Sequence, residues 1–179
     1  MDKDQLHPLT SLVKNESGVL SRISGLFARR GFNIDSLAVG ETEDPRYSRM
    51  SIVVKGDEEE VGQVIKQLGK LINVIEVKDL SGTPHLAREL SLIKVQATAE
   101  NRSEIIELVD IFRAKVVDVG KAHLTVEVTG DGDKVAALED MLREFGIEEM
   151  ARTGQVVLER SPKKPHTPEQ TRKTKEEEQ

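Results

Sequence analysis

Residues 15–34 read NESGVLSRISGLFARRGFNI. Within them Val19, Leu20, Ile23, Leu26 and Phe27 recur at the spacing of one helix face. Gly31 stands where that helix can end in a left-handed cap. Before the stretch, Leu9 to Lys14 alternates weakly and reads as a strand; after it, Leu37 and Val39 alternate in a second. The turn Glu43-Asp44-Pro45-Arg46 leads to a third strand, with Ser48, Met50, Ile52 and Val54 on one face. Asp57, with Glu60 three residues later, forms a capping-box start to a helix bearing Val61, Val64, Ile65 and Leu68. A last strand places Ile75 and Val77 on one face. The order is β-α-β-β-α-β.

Ser81-Gly82-Thr83-Pro84 marks a boundary, and the same order returns beyond it. Ile93, Val95 and Ala97 alternate, and Asn101 stands as the cap of a helix bearing Ile105, Leu108, Val109 and Phe112. A strand pair meets near Gly120-Lys121, with Leu124, Val126 and Val128 on one face. Asp131 or Asp133 starts a helix bearing Val135, Leu138, Leu142 and Phe145, and Val156 to Leu158 is expected to close the sheet. The pattern predicts an α+β chain of tandem ferredoxin-like βαββαβ units, residues 1–82 and 83–160. Residues 161–179, SPKKPHTPEQTRKTKEEEQ, carry three prolines and no large apolar side chain, and are expected to be a disordered charged tail. A sheet covered by helices on one face leaves its other face or an edge strand to bury, so a homodimer is expected.

Composition removes several function classes. The net charge of -6 supplies no basic field for nucleic acid or an anionic membrane. Aromatic residues make up 3% of the chain, and the four phenylalanines lie on or beside helices, so no base-stacking platform is formed. There is no cysteine, hence no thiolate site or cysteine nucleophile. The opening MDKDQLHPLT has no apolar signal region, and no apolar run approaches the ~20 residues of a membrane span, which favours a cytoplasmic protein. His7, His85, His123 and His166 show no metal-ligand spacing, and His123 reads as a surface histidine. Phosphate-loop, dinucleotide and nucleophile-elbow motifs are absent, and no catalytic or metal-ligating set is assembled.

What remains is the opening stretch. A helix N-terminus offers unpaired N–H groups and partial positive charge, which suits a carboxylate. Gly18 lets a ligand approach that backbone, and Asn15 and Asn33 each offer a donor and an acceptor, matching the two ends of a free amino acid. Ile34 and Leu20 could line an apolar pocket. Spacing alone leaves a second reading open, in which Asn15 and Ser17 are caps and Gly18 and Gly31 are turn residues. The two N-x-S matches, at Asn15 and Asn101, are likewise read as helix caps rather than glycan acceptors.

The stretch NESGVLSRISGLFARRGFNIDSL strongly resembles the ACT domain of the small, regulatory subunits of acetolactate synthase. The likeness continues through DPRYSRMSIVV and QLGKLINVIEV, then ARELSLIKV, EIIELVDIFRAKVVDV and LTVEVTG. The resemblance implies an N-terminal ACT domain, a second ferredoxin-like domain, and dimerisation through the ACT domains. It also implies a branched-chain amino acid effector, typically valine, bound between two copies. The effector motif falls on Asn15, Gly18, Asn33 and Ile34, with Glu16 and Ser17 in the same loop. Such subunits are not enzymes themselves and hold no cofactor. The resemblance places thiamine diphosphate, magnesium and FAD on a separate large catalytic subunit, which the small subunit activates and makes sensitive to feedback. The alternative is an amino-acid sensor acting on a different partner enzyme.

Overall fold

The structure, a computed structural model, describes residues 5–161. The expected tail lies outside the described residues, apart from its first. The elements are β1 (Leu6–Lys14), α1 (Val19–Arg30), β2 (Asn33–Glu41), β3 (Tyr47–Lys55), α2 (Glu58–Leu68) and β4 (Val74–Asp79). After these come β5 (His85–Gln96), α3 (Arg102–Ile111), β6 (Lys115–Val119), β7 (His123–Gly130), α4 (Gly132–Arg143), β8 (Ile147–Arg152) and β9 (Val156–Glu159).

Two antiparallel sheets result, ordered β2-β3-β1-β4 and β6-β7-β5-β8, each the order of a split βαβ unit. In the first, Leu9, Val13, Met50, Ile52 and Val54 face Val19, Ile23, Phe27, Val61, Val64 and Leu68 of α1 and α2, and all are buried. In the second, Ile93, Val95, Leu124, Val126 and Val128 face Ile105, Val109, Val135, Leu138 and Leu142. The period-2 pattern of each central strand therefore meets the 3.6-period stripe of its helices. Helix starts are set by side chains where the sequence supplies them. Glu60 N–H donates to Asp57 Oδ1 at 2.9 Å, and Asp57 N–H donates to Glu60 Oε2 at 3.1 Å, closing the capping box of α2. Asp131 caps α4 by accepting from Lys134 N–H at 3.0 Å.

Three expectations are corrected. The second sheet is closed by β8, the segment IEEMAR, and not by Val156–Leu158. β5 is long enough to pair along its second half with β7 and β8, and along its first with β9, His85 opposite Glu159 and Arg88 opposite Val156. Ile75 and Val77 do not share a face. Val13 pairs with Val74 while Leu12 pairs with Glu76, so Ile75 is the extra residue of a bulge. Val74 and Val77 pack on the core, and Ile75 is exposed. Asn101 does take the N-cap position of α3, but its Oδ1 accepts from Thr98 N–H at 2.7 Å and bonds no N–H of the helix.

The face of the first sheet away from its helices is partly covered by the chain itself. Thr10, Ser51 and Val53 lie on that face and are buried, and β9 packs beside β1. Val157, 1% exposed, donates its N–H to Ser51 Oγ at 3.0 Å. β2 and β4 remain as edge strands.

Candidate functional site

α1 begins without a cap. Its N-cap residue is Gly18, at φ +83°, with no side-chain bond to the helix and no acidic residue in the first turn. This contrasts with α2, whose first turn carries Glu58, Glu59 and Glu60. The first helical bond is Arg22 N–H to Gly18 O at 3.0 Å, and Val19 N–H reaches Glu16 O at 3.4 Å. Among the described residues, no acceptor in the chain meets the N–H groups of Ser17, Gly18, Leu20 and Ser21. A Cβ built on Gly18 would have nothing within 4 Å. The end of α1 is therefore a solvent-facing set of donors carrying the positive end of the helix dipole, the chemistry of an anion-binding site.

The cap reading of Asn15 and Ser17 is overturned. Asn15 Nδ2 donates to Glu41 Oε1 at 3.1 Å and to Pro45 O at 3.0 Å, and Asn15 N–H donates to Arg46 O at 2.8 Å. Asn15 thus ties the loop to the β2–β3 turn and leaves the helix end free. Glu16 is drawn the other way: Asn73, itself buried, donates from Nδ2 to Glu16 Oε2 at 2.8 Å and accepts from Arg22 Nη1 at 2.6 Å. Lys14 N–H donates to Asn73 O at 2.8 Å. Glu41, Asn73 and Arg22 therefore hold the loop in place, and no local signal in the sequence marks them, because each is distant along the chain or sits in another motif. In the turn, Arg46 hydrogen-bonds the Asp44 carboxylate through Nε at 3.0 Å and holds its carboxyl pKa below the usual carboxylate range. Both groups are solvent-exposed, so the pair contributes little to stability.

Asn33 and Ile34 open β2. Asn33 pairs with Lys55 in the ladder, is exposed, and its side chain makes no hydrogen bond in the chain among the described residues. Ile34 is half-buried against the first core. Leu20 is 48% exposed on α1. The two parts of the motif are not brought together within one chain. Lys14, beside Asn15, pairs with Tyr47 at one end of β3, and Asn33 pairs with Lys55 at the other. The nine-residue strand from Tyr47 to Lys55 lies between them, eight steps or roughly 26 Å at about 3.3 Å per residue.

Elsewhere, His123 is half-buried with Nδ1 3.8 Å from Glu148. Among the described residues no group of three or more His, Asp or Glu is placed to hold a metal ion. No helix among them is long and apolar enough to cross a membrane.

The fold and this helix end define a pair of ferredoxin-like modules whose first member leaves the start of α1 uncapped. Residues 9–76 match the model of the AHAS small subunit-like ACT domain, and residues 88–161 that of the small subunit of acetolactate synthase. A probable acetolactate synthase small subunit of Archaeoglobus fulgidus is 54% identical over 88% of this chain and 99% of its own length. The acetolactate synthase small subunit of Mycobacterium leprae is 52% identical over 88% of this chain and 93% of its own. The crystal structure of an acetolactate synthase small subunit from Thermotoga maritima superposes with a TM-score of 0.80 at 42% identity, covering 88% of this chain and 99% of that one. The chain belongs to the family of acetolactate synthase small subunits.

Proposed function

We propose that this chain is the regulatory subunit of an acetolactate synthase: it activates a large subunit bearing thiamine diphosphate, magnesium and FAD, and confers feedback inhibition by a branched-chain amino acid, valine above all. The observation that carries the effector half is the uncapped, acid-free start of α1 at Gly18, whose first N–H groups meet no acceptor among the described residues. A carboxylate is the ligand group such an end favours. The polar and apolar groups of Asn33 and Ile34 sit too far away to reach the same small ligand in one chain. The effector site is therefore shared: the Asn15–Gly18 loop of one copy meets the Asn33–Ile34 segment of a second, in a homodimer formed through the ACT units. β2, which carries Asn33 and Ile34, is an edge strand and free to take part. Effector bound across the interface inhibits by its differential affinity for two arrangements of the assembly.

The deciding experiment assays acetolactate formation by the large subunit, with and without this chain, titrated with valine, leucine and isoleucine. A higher rate with the chain, falling with at least one of the three, supports the reading. An unchanged rate overturns it, and so does acetolactate formed by this chain alone.

Asn33→Ala tests the second half of the site. Since the side chain has no hydrogen-bond partner among the described residues, its removal is expected to leave the fold intact, and the expected effect is a valine affinity weaker by about 1–3 kcal/mol. Titration calorimetry measures it, and an unchanged affinity removes Asn33 from the site.

A further inference from the structure

We infer that the segment Gly154–Val157 couples β2, the strand that carries Asn33 and Ile34, to the second ferredoxin-like unit, with Ser36 and Ser51 as the positioning residues. The inference rests on the effector reading above and assigns the path by which that site reaches the rest of the chain.

The register of β2 on β3 shifts between Ile34 and Ser36, leaving Asp35 as an extra residue. Through this bulge Ile34 faces the first core while Ser36, opposite Val53, faces the other side of the sheet. There Gln155 N–H donates to Ser36 Oγ at 2.7 Å, and one strand over Val157 N–H donates to Ser51 Oγ at 3.0 Å. Between these bonds the two backbones lie in close approach. Gly154 adopts φ +76°, and a Cβ built there would stand 2.7 Å from Ser36 Oγ and 3.2 Å from Leu37 O. The seam thus uses a residue without a side chain where both the backbone angle and the space demand one.

On its far side the segment is fixed to the second unit. Thr153 N–H donates to Leu90 O at 3.0 Å, and Leu90 N–H donates to Thr153 Oγ1 at 3.1 Å. Arg152 pairs with Glu89, a carboxylate 4% exposed on β5, and lies 3.8 Å from Glu139 of α4. A displacement of Ile34 by a bound effector is therefore passed through Ser36 to a segment anchored in β5 and α4. An open pocket of about 360 Å³ lined by Asp35, Ser36, Leu37, Glu89 and Arg152 adjoins the seam. Coupling of this kind requires physical contacts that join the two sites, and the bulge with its clasp supplies them.

The test compares the wild-type chain with Ser36→Ala/Ser51→Ala. Three quantities are measured: valine affinity of the small subunit by calorimetry, inhibition of the complex with its large subunit, and amide hydrogen exchange over residues 153–158 with and without valine. In the wild type, valine is expected to change exchange at Gln155 and Val157. In the double variant, affinity changes by less than about threefold and activation persists, while the valine concentration for half-inhibition rises about tenfold or more. Where the double variant does not fold, Ser36→Ala alone, which keeps the Ser51 bond, serves the same comparison. Inhibition of the folded variant at the wild-type concentration overturns the inference, as does valine binding to the wild type with unaltered exchange in this segment. A wild-type chain that binds none of the three branched-chain amino acids overturns the effector reading itself, and the coupling with it.

Discussion

The complex carrying Gly18→Asp is expected to keep the activated rate of the large subunit and to lose its inhibition by valine. At φ +83° any L-residue is strained, by about 1–2 kcal/mol, but Asp and Asn are the side chains that tolerate this conformation best. The new Cβ meets nothing within 4 Å, so no neighbour has to move and the strain stays local. The added carboxylate sits at an end of α1 that has no other acid in its first turn, and there it occupies the N–H groups an incoming carboxylate needs. It also repels that carboxylate. The expected rise in the half-inhibiting valine concentration is that of a lost coupling of ~1–3 kcal/mol, about 5–150-fold. Gly18→Asn carries the same strain and nearly the same bulk without the charge, so a smaller rise there isolates the electrostatic part. A Gly18→Asp complex still inhibited at the wild-type valine concentration places the carboxylate end of the site elsewhere.

Why Gly18 was legible and its surroundings were not follows from the range of the interactions. The helix of residues 19–30, its glycine end at Gly31 and the capping box at Asp57 are written within a few residues of sequence, and each is found where the pattern puts it. β3 and β7 are central strands buried against helices: β7 alternates strongly, and β3 carries a near-continuous buried run from Met50 to Val54. β8 is an edge strand with five of its six residues exposed, so IEEMAR carries almost no period-2 signal and Val156–Leu158 was the more strand-like segment. That segment is a strand, but its partner is the first half of β5, a choice made by tertiary contact. Asn15 illustrates the same limit at the site. Its position before a helix suggests a cap, while Glu41 and the Pro45 carbonyl, brought close only by the β2–β3 hairpin, take its amide. What local chemistry left ambiguous at residues 15–18, long-range hydrogen bonds resolve in favour of an open helix end.

Arg152→Met is expected to destabilise the chain by about 2–4 kcal/mol in urea unfolding. Glu89 is 4% exposed and Arg152 is the cation that meets it, so removing the guanidinium strands a buried carboxylate. A fully buried pair broken in this way costs ~3–5 kcal/mol, and the lower range applies because the Arg152 side chain is 38% exposed and water can reach the site. Glu139 is the better protected of the two carboxylates, since Arg143 also pairs with it from one turn along α4. Arg143→Met therefore serves as the contrast: its side chain is 63% exposed, and the expected loss is below about 1 kcal/mol. Glu89→Gln combined with Arg152→Met is expected to recover part of the single-variant loss, because the second change removes the stranded charge. A loss under about 0.5 kcal/mol for Arg152→Met would mean that Glu89 finds other compensation on losing its partner. The seam gives the stability test a functional edge. Arg152 immediately precedes Thr153 and Gly154, so the charge that holds β8 to β5 also fixes the residues lying on β2. Loosened there, the variant is expected to lose part of its valine inhibition at temperatures where it is still folded, and Arg143→Met, which removes the same charge away from the seam, is not.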